Sequence, residues 1–362
     1  MTGLLRVRDG IPRFAERVRA GGPATIVAYG TSMTLFGQYL SQLPTALAAA
    51  TGNTRIELVN RGFRGYFTFA GAFRVGDAVV PSAPDVVLIE FAHNDAAEDA
   101  LLMIAPALDG MVAQTRAAHP DCEFVFVYLA PPGAAAAGPS AAMIAYEATA
   151  DYYGFPSIDL AGLSERLVAA GRAGWGEGPL PALTTDGVHH SEAAAGLIGG
   201  PFAAAFVELV DRSSGPRPAL RPTRDLSLAH TGRAAVADLE KAGPWAVGLP
   251  PNHGVRNCEA YDVQAAEPLV PKAAFRVRFE GTMCLLWAMG EGALEIAISG
   301  SSERYRVEVR SASLWSIHPI TPELAPGRYL LDAVALELPL VLGDLFIVGR
   351  LLTGSEAAGV VN

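Results

Sequence analysis

The sequence is poor in charge, in lysine and in cysteine. Charged residues make up 18% of its 362 residues and hydrophobic ones 51%, a balance that predicts a folded, core-forming chain rather than a disordered one. Only two of the 27 basic residues are lysines, and the 37 acidic residues leave a net charge of -10. Because nucleic acids and anionic membranes bind basic faces, this balance argues against both as partners.

The three cysteines, Cys122, Cys258 and Cys284, are far apart and form no CxxC pair. We therefore expect neither a disulfide framework nor a structural zinc site, and the serine mechanism considered below requires no metal and no organic cofactor. Residues 1–22 contain no apolar run of signal-peptide length, and no later stretch has 18 uninterrupted apolar residues. These absences predict a soluble, cytoplasmic protein without a spanning helix.

Strand-like and helix-like segments alternate over residues 1–212. The helical patterns include Glu98–Ala118, Ala141–Tyr153 and Glu192–Val210. The apolar strand-like runs are Ala24–Tyr29, Arg55–Asn60, Asp85–Phe91, Glu123–Leu129 and Ser157–Leu160. Such alternation predicts a parallel sheet covered by helices on both faces, a flavodoxin-like three-layer α/β domain.

The secondary-structure pattern of the sequence changes after Asp211–Asp225. This segment is rich in Pro, Gly, Ser and Arg, and we interpret it as a linker or a strap. Beyond it, short β-like runs are broken by Gly and Pro, among them Ala274–Glu280, Thr282–Ala288 and Ala293–Ser299. This pattern predicts a smaller all-β domain, a sandwich or jelly roll. We divide the chain into a first domain at 1–212, a linker at 213–225 and a β-sandwich domain at 226–362, which is a candidate surface for homo-oligomer formation.

Four polar clusters lie at the ends of strands or late in the first domain. They are YGTSMT at 29–34, NRGFRG at 60–65, AHND at 92–95 and DGVHHS at 186–191. In open α/β sheets, sites form outside the carboxyl ends of the strands. Each cluster alone also has a purely structural reading, since Thr31, Asn94 or Ser191 could simply cap the helix that follows.

Taken together, these residue types fit acyl transfer. A serine on a tight strand-to-helix turn is exposed, and it needs a general base with an orienting carboxylate. Asp186 and His189, three residues apart, can supply that pair. The oxyanion needs further donors, which the Gly65 N–H and the Asn94 amide can provide beside the Ser32 N–H.

The four clusters, in this order, resemble the motif blocks of the SGNH/GDSL hydrolase superfamily, over roughly residues 23–210. The resemblance implies a serine esterase with Ser32 as nucleophile, His189 as base and Asp186 as its partner. Ser32, Gly65 and Asn94 would form the oxyanion hole. Three positions depart from the family pattern: Thr31 replaces the aspartate of the GDS motif, Ala92 replaces a glycine, and Tyr66 replaces the frequent aspartate after the second block.

Two assignments have competitors. Gly62 competes with Gly65, which we prefer because it lies five residues after Asn60, and His190 competes with His189, which the DxxH spacing favours. Three further residues are candidates for substrate binding, each with an equally ordinary structural role in packing or at the solvent: Arg64, His93 and Trp175.

The predicted function is a serine esterase that removes a small acyl group, acetyl in the first instance, from a small-molecule or glycan ester. The carbohydrate part rests on analogy with superfamily members that carry an extra β-sandwich. An acyltransferase or thioesterase with the same triad is one alternative. A non-catalytic glycan-binding protein with a vestigial first domain is the other.

Overall fold

The computed structural model describes two compact units, Met1–Ala229 and His230–Asn362. The described residues are 3–95, 98–129, 138–184, 186–214, 218–248, 265–353 and 356, without the side chains of 98–101 and 311–315. The expectation that Cys258 is unpaired lies outside these residues. Cys122 and Cys284 are buried free thiols.

The first unit is a sheet with helices. Its strands are β1 (Leu5–Arg6), β2 (Ala24–Gly30), β3 (Ile56–Gly62), β4 (Val86–Glu90), β5 (Glu123–Tyr128) and β6 (Ser157–Asp159). Its helices are α1 (Pro12–Arg19), α2 (Ser32–Phe36), α3 (Leu43–Thr51), α4 (Thr68–Ala72), α5 (Val75–Ala78), α6 (Glu98–Ala118), α7 (Ala141–Tyr153), α8 (Leu160–Ala169), α9 (Glu192–Ala194) and α10 (Gly200–Arg212). The predicted helix Glu192–Val210 is interrupted by a π-helical turn at Ala195–Gly199.

The strand order is β1-β6-β5-β4-β2-β3, parallel except for β1, which pairs antiparallel with β6. Gly30, the last residue of β2, pairs with Gly62 of β3 and with Glu90 of β4. Three strands therefore end at one level, and the polar residues that follow them meet at one edge. The α/β fold class is confirmed, with β1 added at the edge.

The core of this unit explains why its central strands are so apolar. Every residue of β4 and β5 is buried, because helices cover the sheet. The stretch Glu192–Arg212 is long and apolar enough to cross a membrane by length and composition alone, but half of its most apolar window is buried. Phe202, Phe206 and Leu209 pack in the core, so this stretch is weak evidence for a membrane span.

The segment predicted as a linker, 213–225, belongs to the first unit where it is described. Arg224 contacts the buried carboxylate of Asp109 on α6 at 2.9 Å, and Gly110 approaches Leu228 so closely that a Cβ would lie 2.7 Å from it. We call residues 218–229 the strap. Arg224 and Leu228 hold the strap against α6.

The second unit is an antiparallel sheet, which confirms the predicted all-β class. Its strands are β7 (Thr231–Ala235), β8 (Glu240–Ala242), β9 (Trp245–Gly248), β10 (Ala265–Pro268), β11 (Ala274–Ile298), β12 (Arg304–Pro319), β13 (Gly327–Glu337) and β14 (Leu340–Leu351). The three separate strands predicted between 274 and 299 are one strand, β11, which pairs with β8, β12, β13 and β14. Gly281 and Gly290, which look like turns in the sequence, lie at register shifts within it.

Candidate active site

Ser32 is the first residue of α2, directly after the strand β2. Thr31 caps this helix through its hydroxyl, which accepts from the Met33 N–H at 3.2 Å. Gly30 makes the turn possible, because a Cβ there would lie 2.5 Å from the Glu90 carbonyl oxygen. The result is a serine at a strand-to-helix turn, but only 8% of its surface is exposed, so the expectation of an exposed serine is wrong.

Ser32, His189 and Asp186 form one continuous hydrogen-bonded relay. The Ser32 Oγ lies 2.9 Å from His189 Nε2, and His189 Nδ1 lies 2.6 Å from Asp186 Oδ2. With Nδ1 donating to the carboxylate, Nε2 is the nitrogen that can take the serine proton. The three residues that the sequence singled out from two distant segments thus meet with the geometry of an activated hydroxyl.

A tight turn holds the Asp186 carboxylate toward His189. Asp186 Oδ1 accepts from the backbone N–H groups of Val188 and His189 at 2.9 and 2.8 Å, and Gly187 takes the positive φ (83°) that the turn requires. Partial burial would raise the pKa of Asp186, but the His189 side chain and these N–H groups lower it to about 2. The carboxylate is therefore ionised at neutral pH and can stabilise an imidazolium.

Backbone and side-chain contacts connect the glycine block to the serine and asparagine blocks. The Phe63 N–H donates to the Gly30 carbonyl at 2.9 Å, and Asn94 Nδ2 donates to the Tyr66 carbonyl at 2.7 Å. Gly65 lies between these two contacts with a φ of 72°, a left-handed conformation that favours glycine. A second N–H on the Asn94 amide remains for an oxyanion, since an amide carries two.

The structure also distinguishes Gly65 from its competitor Gly62, and His189 from its competitor His190. The Gly62 N–H donates to Asn60 Oδ1 at 2.9 Å and so is engaged within its own loop. His190 is buried and pairs with Thr184 as a β-bridge, while its neighbour His189 faces Ser32. Ser191, as the sequence suggested, caps α9.

His93 and His190 are two further imidazoles close to His189. Burial, together with the smaller effect of the neighbouring imidazoles, lowers the pKa of each to about 4. Each keeps a buried Nδ1 without a hydrogen-bond partner among the described residues. Both are neutral at neutral pH, so neither adds positive charge beside His189.

Glu90 is a buried residue that sequence reasoning missed. Its Oε2 accepts from the Thr31 N–H at 3.2 Å and from the hydroxyls of Thr31 and Thr34, each at 2.9 Å. Burial raises the pKa of Glu90 to about 7, although these hydrogen bonds act in the opposite direction. A lone glutamate within the otherwise apolar VVLIEF was the available signal, because a charge in a buried strand needs partners.

Phe36 is the second residue that was missed. Its ring lies edge-to-face against the His189 imidazole, with centroids 4.8 Å apart, and the Arg64 guanidinium carbon lies 5.3 Å from its centroid. The signal was its position four residues after Ser32, on the same side of α2. Arg64, a predicted substrate-binding candidate, is therefore connected to the relay through Phe36.

Trp175 packs against the hydrophobic core of the first unit, and its carbonyl accepts from the Thr184 N–H at 3.1 Å. A cavity of about 580 Å³ is lined by Tyr128, Glu147 and Asp159, among others, and by no residue of the relay. The chemistry of the side chains, rather than the size of a cavity, therefore locates the site. Among the described residues no group of three or more His, Cys, Asp or Glu could hold a metal ion.

Comparison with known families gives a match over the region that carries the relay. Residues 25–197 match the GDSL-like lipase/acylhydrolase family. A search of curated proteins found no match.

Solved structures resemble the chain in fold. A two-domain esterase (CEX) active on acetylated mannans is 16% identical, with a TM-score of 0.69 over 96% of this chain and 99% of that one. A catalytic mutant of Axe2, an acetylxylan esterase from Geobacillus stearothermophilus, is 16% identical, with a TM-score of 0.41 over 55% of this chain and 97% of that one. The first likeness shows that the two-unit architecture, an α/β unit followed by a β unit, is shared with an esterase.

Proposed function

We propose that the chain, whose residues 25–197 match the GDSL-like lipase/acylhydrolase family, is a serine esterase that removes small acyl groups, in particular acetyl, from carbohydrate esters. The observation that carries the proposal is the relay itself, with Ser32 Oγ 2.9 Å from His189 Nε2 and His189 Nδ1 2.6 Å from Asp186.

The reaction follows from these positions. Ser32 attacks the ester carbonyl while His189 takes its proton, and the Asp186 carboxylate stabilises the imidazolium. The N–H groups of Ser32 and Gly65 and the Asn94 amide bind the tetrahedral oxyanion. His189 then returns the proton to the leaving alcohol, and a water activated by the same imidazole hydrolyses the acyl-enzyme.

The acetyl and carbohydrate parts of the proposal draw on the two-domain esterase of the same fold, which is active on acetylated mannans. Sugar esters suit a mechanism of this kind, because the leaving group is an alkoxide that needs a proton from the base. The natural alcohol and the length of the acyl chain are the quantities that an assay must measure.

The test is an ester panel run on three proteins: wild type, Ser32→Ala and, as a matched control, Ser41→Ala at an exposed serine outside the relay. The esters are p-nitrophenyl acetate, butyrate and octanoate, acetyl-CoA, and O-acetylated mannotriose. We expect wild type and Ser41→Ala to hydrolyse the acetyl oxygen esters more efficiently than the other esters of the panel. Ser32→Ala should lose at least about 10⁴-fold in kcat.

Three outcomes contradict the proposal. Activity that persists in Ser32→Ala removes the serine mechanism. Acetyl-CoA as the best substrate, or accumulation of an acetylated sugar acceptor in place of free acetate, indicates a thioesterase or an acyltransferase. No turnover of any ester by wild type indicates a binding protein.

A further inference from the structure

Phe36 is the only aromatic side chain in the described part of the chain that is exposed, with 43% of its surface in contact with solvent. The described phenylalanines, tyrosines and tryptophans other than Phe36 are buried or half-buried. A single exposed apolar side chain is ordinary on a protein surface, so the place of this ring in the site, and not its exposure alone, carries the argument.

The position of this ring ties it to the reaction. Phe36 follows Ser32 by four residues on α2, and its ring contacts the His189 imidazole with an interplanar angle of 81°. The Arg64 guanidinium lies against the same ring, and Arg64 directly precedes Gly65. Phe36 and Arg64, which we call the platform, thus lie beside both the base and the proposed oxyanion donors.

The platform lies on the side of the site where the leaving group must be. His189 Nε2, the nitrogen 2.9 Å from the Ser32 hydroxyl, has to deliver its proton to the ester oxygen of the departing alcohol. The alcohol part of the substrate is therefore placed against the groups that flank His189, and Phe36 is one of them. The acyl part points away from the imidazole, toward the serine.

The chemistry of the platform indicates the kind of alcohol. A phenylalanine face accepts a layer of C–H groups, and a guanidinium has five planar N–H groups, so it can donate to a substrate oxygen as well as to a partner within the protein. A pyranose ring meets both requirements, because its C–H face is apolar and its edge carries hydroxyls.

We propose that Phe36 and Arg64 form a subsite that binds the sugar ring of the leaving alcohol, with its C–H face on Phe36 and a hydroxyl on Arg64. This inference rests on the proposed function and specifies which side chains recognise the carbohydrate. It predicts that the platform contributes more to the binding of sugar esters than to the binding of esters of small alcohols.

The test compares a methyl mono-O-acetyl-mannopyranoside with ethyl acetate, which has the same acyl group and no ring. The variants are Phe36→Ala and Arg64→Gln, with Leu220→Ala as a control because Leu220 is exposed to a similar extent, 39%. For the sugar ester we expect KM to rise about tenfold in Phe36→Ala and severalfold in Arg64→Gln. For ethyl acetate the rise in KM should be smaller, so that the ratio of kcat/KM for the sugar ester to kcat/KM for ethyl acetate falls about tenfold in Phe36→Ala, and Leu220→Ala should resemble wild type on both esters.

A second measurement does not depend on turnover. In the Ser32→Ala background, the acetylated mannoside is titrated by calorimetry with and without Phe36→Ala, and we expect the added substitution to weaken binding about tenfold. An equal loss of kcat for both esters overturns the inference, because it shows that Phe36 only orients His189. Unchanged KM and unchanged binding also overturn it. Failure of wild type on every ester contradicts the proposed function instead, and the titration then decides the subsite separately.

Discussion

Glu90 lies directly beneath the serine turn, where one of its carboxylate oxygens accepts from both the backbone N–H and the hydroxyl of Thr31. Thr31 precedes Ser32, and Thr34 on the next turn donates to the same oxygen. The side-chain carboxyl group of Glu90, at the end of β4, therefore holds the start of α2 through Thr31 and Thr34, which lie on either side of Ser32.

We expect Glu90→Leu to lower kcat about 10²-fold, because the loss of this acceptor releases the turn and small displacements of a nucleophile are costly. Glu90→Gln keeps an oxygen that can accept from Thr31 and Thr34, so its kcat should fall less than tenfold. Both are measured on an acetyl ester, with thermal unfolding recorded to show that each variant is folded. Equal kcat values for the two variants would contradict a role for the acceptor.

The free energy of unfolding should depend on pH through the protonation of Glu90. Burial raises its pKa from 4.5 to about 7, so the folded protein retains a proton that the unfolded chain has lost between these values. The stabilisation is present below about pH 4.5 and is lost as the pH rises through about 7. The free energy of unfolding of wild type minus that of Glu90→Gln should therefore fall over this window, by about 3 kcal/mol at most.

Urea denaturation at intervals from pH 4 to pH 8.5 measures this difference. The buried imidazoles His93 and His190 titrate in both proteins, so their contributions cancel in the comparison. A difference that does not change with pH would mean that Glu90 titrates as it does in the unfolded chain.

Asp186→Asn tests the relay. The asparagine oxygen can still accept from the N–H groups of Val188 and His189, but its amide cannot accept the Nδ1 proton of His189. The imidazole then loses both its orientation and its counter-charge, and kcat should fall about 10³- to 10⁴-fold.

The matched control is Asp159→Asn, at an aspartate that accepts from an N–H three residues ahead, that of Gly162, and caps α8. Asparagine caps helices as well as aspartate does, so steady-state kinetics on an acetyl ester should match wild type. Retention of activity within tenfold by Asp186→Asn would remove that carboxylate from the mechanism.

Gly65→Ala tests the second block. Gly65 and Gly52 have nearly the same φ, 72° and 70°, so alanine at either position should cost about 1 kcal/mol in stability. Only Gly65→Ala should lower kcat, by about 10- to 100-fold, because Gly65 is the proposed oxyanion donor whereas Gly52 ends α3. The comparison needs kcat and the free energy of unfolding for each variant. Equal kcat values would assign the oxyanion donor to another residue.

Arg224→Ala tests the strap. Asp109 is only 2% exposed and would lose its guanidinium partner, while the Tyr153 hydroxyl remains bonded to it at 2.6 Å. Because Arg224 is itself 30% exposed, we expect a loss of about 2 kcal/mol, below the usual range for a fully buried pair.

Arg212→Ala is the control for that measurement. Arg212 pairs with Glu208 on the surface, both about half exposed, and this pair should contribute less than about 1 kcal/mol. Guanidinium chloride denaturation of both variants gives the comparison. If the two losses are equal, the strap is not held by its ion pair.

The sequence was sufficient to predict the elements that position the relay. Long apolar runs such as β4 and β5 are unmistakable as buried strands, and the ends of parallel strands lie at one edge of the sheet. The spacing of Asp186 and His189 within one turn made their contact predictable without any tertiary information.

What escaped prediction depends on contacts between distant residues. β1 has two residues, too few to show any periodicity, and forms only because β6 pairs with it. Gly281 was read as a turn, whereas it lies within β11 opposite β14, where a Cβ would be 2.2 Å from the Val348 carbonyl oxygen. Glycine occurs both where the chain reverses direction and where two strands approach closely. Only the position of the partner strand distinguishes the two cases.

The attachment of the strap to the first unit decides where the α/β unit can be cut from the chain. An expression boundary placed at Arg212, where the last helix ends, would remove Arg224 from Asp109 and Leu228 from its contact with Gly110. A fragment ending at Ala229 keeps both contacts. Work on the isolated α/β unit should therefore begin from residues 1–229.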